Sequence, residues 1–430
     1  MHDARRPTLP AMAQPPVDRS RAEGAVVVDP AVDIPAPVLH VRAMMPRFAE
    51  HGLTELHVAS MVGLLDAVRW FIANTGARAQ DKSAWPVEGC PNAGSTALLL
   101  ACSKGHSDVV RWLVTEAGSC AKTEQTPDGV TALLAACAAG HVHVARWLVA
   151  DAGCCAKTQR NVLGDTALLL ACRGGHLDVV RWLVTDVGCC ARTERNGAGM
   201  TALLVACFRG HLDVARWLVT EAGCCANTVH PDGITALFAA CAARRLDVAR
   251  WLVTEAGSCA STERLSNGMT ALLMACFRGH LDVARWLVTE AGSCAKTERL
   301  ATGTTALQLA CSSGHLDIVQ WLVAEVGCCV MSERDARGYP AFLVACSHGH
   351  TDVARWLVAH VGDTILQDDA LRAARVGKHW ATCEWLIDEH NMVPVRCIVP
   401  RVVAVIFFCA ALPRSCVPAL LFVCLFLLWR

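Results

Sequence analysis

Apolar residues recur along this chain in two alternating patterns. Between Asp165 and Gly199, "TALLLACRG" is apolar almost throughout, which predicts a short buried helix whose first turn Thr166 can cap. The next segment, "HLDVVRWLVTDVG", places Val180, Leu183, Val184 and Val187 at i, i+3, i+4 and i+7. That spacing predicts a second, amphipathic helix of about twelve residues. Asp178 stands near its start, where the helix dipole favours an anion. A glycine before His176 ends the first helix and Gly188 ends the second, since glycine takes the left-handed position without a Cβ penalty. "CCARTERNGAG" then shows no period and reads as turn chemistry.

The same unit returns along most of the chain. Thr96, Thr131, Thr166, Thr201, Thr235, Thr270, Thr305 and, degenerately, Pro340 open successive copies, at intervals of 35 residues with a single 34. Trp112, Trp147, Trp182, Trp217, Trp251, Trp286, Trp321 and Trp356 keep the same beat. A divergent unit starts earlier, at Thr54 to Ser60 with Trp70, and is set off by an insertion around "SAWPVEGCPN". A worn unit, "DALRAARVGKHWATCEWLIDEH", closes the series. Two helices of this length bury no core alone, so the units must stack, and atypical units are expected at the ends of a stack.

The recurring "DG-T-AL--A---GH-DVARWLV-EAG" pattern resembles the ankyrin repeat family over about Thr54 to His390. The resemblance implies an all-α solenoid of helix–turn–helix–hairpin units of 34–35 residues, about nine of them plus a degenerate C-terminal cap. Two departures stand out. Most units read Ala-Leu-Leu where the family has Pro-Leu-His, and only the first keeps Leu56 and His57. Each unit is also two residues longer than usual.

Composition narrows the function classes. The chain carries 39 basic and 39 acidic residues, so it has no global field to draw nucleic acid. No phosphate-binding glycine loop, HExxH or GxSxG occurs, so no enzyme, cofactor, metal or small-molecule substrate is expected. The opening residues lack an apolar signal region, which predicts a cytoplasmic, reducing location and thiols rather than disulfides.

The 25 cysteines sort by register. Eight close the "AC" of the first helix, seven (Cys120, Cys155, Cys190, Cys225, Cys259, Cys294 and Cys329) precede the hairpin, and Cys154, Cys189, Cys224 and Cys328 complete "CC" pairs. The resemblance puts small or buried apolar residues at these places, so all are expected to be packing residues with few reactive thiols. The recurring Gly-His is expected to be structural, the tryptophans to cover the seams between second helices, and the arginine before each tryptophan to be solvated or snorkelling.

Positions that differ between copies are candidates for specificity. They are the pair after each "AC" cysteine, the residue types just before it, Gln308 and Phe238 included, and the hairpin tips. The resemblance implies a concave face lined by first helices and hairpins that grips partners. On it the candidate contacts are Phe208, Arg209, Phe277 and Arg278, with Arg195, Arg264, Arg299 and Arg334 of the Glu-Arg pairs. Phenylalanine supplies anchors and arginine bidentate contacts for an extended protein segment. The expected function is a non-catalytic protein–protein interaction scaffold or adaptor.

The ends differ in composition. Residues 1–40, rich in Pro, Ala and Arg, predict a disordered tail, and 41–391 hold the repeats. Residues 392–430 contain two apolar runs split by Pro413-Arg414-Ser415. Val402 to Trp429 is a candidate tail anchor, an interfacial insertion or a stretch without selected sequence. The anchor supports the alternative reading, a membrane-anchored regulatory or channel-like protein.

Overall fold

Threonine begins almost every repeat, and its chemistry explains why. Thr166 has extended backbone (φ −87°, ψ 171°), and its Oγ1 accepts from the Leu169 N–H at 3.3 Å. The same hydroxyl donates to Glu194 Oε2 at 2.6 Å, 28 residues on. Thr96 donates likewise to Glu124, and Thr131 to Gln159 Oε1, both at 2.6 Å. Thr235 and Thr270 pair in the same way with Glu263 and Glu298. In two repeats the second carboxylate oxygen accepts the N–H of the hairpin cysteine, from Cys120 at 2.8 Å and from Cys294 at 3.0 Å. One acid thus ties the start of the first helix to the base of the hairpin.

The structure is a computed structural model that describes residues 34–48, 52–83, 94–227, 230–260, 263–330, 333–335, 338–361 and 367–390. Among the described residues the regular elements are helices, 21 of them α, with isolated antiparallel bridges at the hairpins, such as Arg195 to Thr201. Contacts divide the chain into two compact units, 1–127 and 128–430. The first holds the helices Ala36–Met44, Glu55–Val62, Leu65–Asn74, Ala97–Lys104 and Ser107–Thr115. The second holds the helix pairs from Ala132–Ala138 to Trp380–His390.

First helices are buried all round, which is why they are apolar all round. In Ala167–Gly174, every residue from Ala167 to Cys172 is buried. The helix packs between Ala132–Ala138 and Ala202–Arg209, so both faces are covered. Fully burying each of Leu168 and Leu169 contributes about 1.5–3 kcal/mol. Second helices keep a wet face. Leu177–Thr185 is shorter than its pattern predicts. Its buried stripe is Val179, Val180, Trp182 and Leu183, with Val184 and Val187 only half-buried. The helix ends before Val187, so the longer spacing never closes a stripe.

Two expectations are corrected here. The order begins before residue 40: Ala36–Met44 is helical, with Val38 and Val41 fully buried one turn apart. Proline at the helix start pre-sets φ for the first turn, so the composition that reads as a tail also opens a helix. Gln308 and Phe238 are not surface specificity positions either, since both are buried. Gln308 completes a capping box with Thr305 and donates through Nε2 to the Tyr339 carbonyl at 2.9 Å. The expected anchor, Val402 to Trp429, lies outside the described residues, as do the insertion at 84–93 and residues 1–33.

Candidate partner-binding surface

The ends of most first helices are held by the next repeat. His211 Nε2 donates to the Arg173 carbonyl at 3.0 Å, His315 to Phe277 at 3.1 Å and His350 to Ser312 at 3.0 Å. Where the chain has Arg244-Arg245 instead of Gly-His, Arg245 Nε donates to the Phe208 carbonyl at 3.4 Å. Arg244 takes the left-handed backbone (φ 59°) that glycine takes elsewhere, and pairs with Asp282 at 3.1 Å. The backbones of Phe208 and Phe277 are therefore fixed, while their side chains are 44% and 42% exposed.

Ala202–Arg209 packs on Ala236–Ala242, which packs on Ala271–Arg278. Two interhelical steps of 8–10 Å put the phenylalanines roughly 20 Å apart. The repeat between them carries Ala242 and Ala243 at the same places, so the two rings flank a low position. Arg209 and Arg278 are exposed beside the rings. Neither pairs with a carboxylate among the described residues. By contrast Arg173, which stands at the register of Phe208 one repeat earlier, is engaged at 2.7 Å with the fully buried Asp165.

The hairpin arginines divide differently. Arg195 is half-buried and donates to the Gly199 carbonyl at 3.1 Å. Arg299 and Arg334 are exposed, yet donate to Gly303 at 3.4 Å and Gly338 at 2.8 Å, closing their own tips. Arg264 is exposed at the edge of a cleft of about 320 Å³ that Asn227, Thr235, Cys259 and Glu263 also line. The glutamates of the Glu-Arg pairs are not available as a surface row: Glu298 and Glu333 are buried, and Glu298 is held by its threonine. Burial pushes the Glu263 carboxyl above its usual value, against the Thr235 hydroxyl and the Cys259 N–H, which lower it.

On the second helices, the arginine before each tryptophan is exposed but not merely solvated. Arg216 lies over the Trp251 ring at 6.0 Å and pairs with Glu255 at 2.9 Å. Arg285 repeats this with Trp321 at 6.0 Å and Glu325 at 2.7 Å, and Arg146 with Trp182 at 5.9 Å and Asp186 at 3.4 Å. Trp182, Trp217, Trp251, Trp286 and Trp321 are buried, as expected of seam residues.

The cysteine expectation holds for two registers and fails for the third. The helix cysteines and the first cysteine of each "CC" pair are buried. Burial pushes Cys172 and Cys207 well above the usual thiol value, Cys189 to about 12 and Cys224 to about 11. The seven hairpin cysteines are exposed. In each "CC" pair the first cysteine is buried and the second faces water. The hydroxyl of the following threonine and then backbone N–H groups hold Cys120, Cys155, Cys190 and Cys294 below the usual thiol value.

A family model described as ankyrin repeats in three copies matches the chain in overlapping segments: 56–160, 118–193, 150–230, 185–264, 220–297, 257–333 and 291–369. No curated protein matches it.

Proposed function

Because this chain belongs to the ankyrin repeat family, we propose that it is a non-catalytic scaffold that binds other proteins on a concave face built from first-helix ends and hairpins. The observation that carries the reading is the pair Phe208 and Phe277: large apolar side chains, exposed, on backbone pinned by the next repeat, each followed by an exposed arginine that pairs with no carboxylate among the described residues. Preorganised aromatic and arginine side chains are the usual carriers of binding energy. The spacing suits an extended segment with two apolar side chains roughly 20 Å apart and acidic residues near each.

Arg264 fits as a further contact. Arg195, Arg299 and Arg334 contribute in part, because their guanidinium groups also close hairpins. A cytoplasmic setting suits such a scaffold. No described helix is long and apolar enough to cross a membrane, and the membrane-anchored alternative would rest on Val402 to Trp429.

Selection of displayed 15-residue peptides on the full chain tests the reading. The expected winners pair two apolar residues with acids and lose at least tenfold in affinity to Phe208→Ala with Phe277→Ala. Equal binding by the double variant, with its melting unchanged, would move the site elsewhere.

A further inference from the structure

One repeat lacks a cation that several others carry. Lys157, Arg192 and Lys296 stand third in the Cys-Ala-Xaa-Thr turn before the hairpin, and Asn227 stands there one repeat after Arg192. Each of those cations reaches onto the next repeat, against Gly188, Gly223 and Gly327, the glycines just past the second helices. Arg192 Nε also donates to the Ala222 carbonyl at 3.3 Å. The C-terminal end of a helix carries partial negative charge, so a cation is stabilised there. Gly257 is the glycine that residue 227 would cover. Among the described residues, no atom lies within 4 Å of where a Cβ on Gly257 would stand. The short Asn227 side chain instead accepts the Ser258 hydroxyl through Oδ1 at 3.3 Å.

The space is a cleft of about 320 Å³, lined by Asn227, Gly257, Cys259, Glu263 and Arg264. Its counterpart one repeat earlier, lined by Arg192 with Thr201, Gly223 and Cys225, is about 180 Å³. The larger cleft has room for a long side chain that its own repeat does not supply. Glu263 gives it a negative charge. Its Oε2 accepts the Thr235 hydroxyl, while Oε1 is buried without a hydrogen bond among the described residues. Glu124 and Glu298 use that oxygen for the N–H of Cys120 and Cys294. A guanidinium, with several donors in a fixed fork, suits a carboxylate beside free backbone carbonyls. Arg264 is exposed at the edge and favours an acid next to the incoming cation.

We propose that this cleft receives the guanidinium of an arginine from the bound protein segment, with an acidic neighbour of that arginine on Arg264. The guanidinium takes the place that Arg192 takes one repeat earlier, donating to the Ala256 carbonyl and to Glu263. The source of the arginine rests on the scaffold reading, whereas the cleft is independent of Phe208 and Phe277.

The test titrates the full chain at pH 8 with acetyl-Arg-Asp-amide and with its citrulline counterpart, which keeps the shape without the charge. Saturation-transfer NMR reads binding. The arginine dipeptide is expected to bind, and the citrulline one about tenfold more weakly or not at all. Asn227→Arg, which gives this repeat the residue its neighbour carries, should abolish binding, and Glu263→Gln should weaken it about tenfold. Phe208→Ala with Phe277→Ala should leave it unchanged, so failure of the partner surface and failure of the cleft read separately. Thermal melts report that each variant is folded. Equal binding of the two dipeptides, undiminished binding to the Asn227→Arg chain, or no binding to the parent at about 10 mM would each overturn the proposal.

Discussion

His211 of one repeat holds Arg173 of the repeat before it: the ring donates through Nε2 to the Arg173 carbonyl at 3.0 Å and lies over Gly175. The ring occupies the space a Cβ on Gly175 would need, and Gly175 has φ 76°. The glycine therefore answers two demands, left-handed backbone and room for the next repeat's histidine.

Removing the ring should loosen one seam. His211→Ala is expected to cost about 1–2 kcal/mol through the part-buried carbonyl that loses its donor. His211→Arg should cost less, since Arg245 already makes the equivalent bond. Gly175→Ala should cost more than His211→Ala, because strain of about 1–3 kcal/mol adds to the overlap. Local hydrogen exchange in Ala167–Gly174 reads this directly, and matching values for Ala and Arg at 211 would contradict it.

The second-helix ladder predicts a division of labour. Arg216→Ala should lose only about 0.5–1.5 kcal/mol, partly salt-sensitive, as an exposed ion pair and cation–π contact. Trp251→Ala should lose about 3–5 kcal/mol, because its ring is buried between helices. A double-mutant cycle between them in denaturant melts should give coupling well under the Trp251→Ala cost.

The buried thiols tolerate small apolar replacements better than polar ones. Cys172→Ser should destabilise by about 1–3 kcal/mol by placing a hydroxyl where no water reaches, and Cys172→Ala by less. Equal melts for the two would show that the site is wetter than its burial implies.

Glu263 should make one repeat weaker as pH rises. Its folded carboxyl binds a proton more tightly than the unfolded one, so its contribution is full below the unfolded value of about 4.3 and is lost as pH climbs through the folded value. Glu263→Gln should match the parent near pH 4 and be the more stable at pH 8. Gln159 already serves Thr131 in this way. A parent-minus-variant difference that does not change with pH would refute the assignment.

His57 works in the opposite sense. It is fully buried, accepts from the Thr54 N–H at Nδ1 and donates through Nε2 to the Asp81 carbonyl at 3.0 Å. Burial lowers its affinity for a proton, so its support is complete above the unfolded value of about 6.5 and falls as pH drops toward the folded one. His57→Gln, the arrangement of Thr305 and Gln308, should flatten the loss of amide protection in Glu55–Val62 between pH 7 and 5.

Much of this molecule is legible one repeat at a time. Thr166 as cap, Gly175 as stop and the all-apolar "ALLLAC" helix are properties of a single 35-residue unit, governed by bonds three to four residues long. The period then implies stacking, because such helices cannot be left wet. Phe208 and Phe277 are visible as departures from the repeating text, although the text cannot show that the neighbouring repeat pins their backbones.

What one unit cannot show is how it meets the next. Arg216 on Trp251, His211 on Arg173 and Glu194 on Thr166 join residues 28 to 38 positions apart, through directions that exist only once helices are stacked. The same holds for the cysteines. Cys189 and Cys190 are adjacent and chemically identical, and only the packed hairpin, which buries the first and exposes the second, pushes one thiol up to about 12 and holds the other below the usual thiol value.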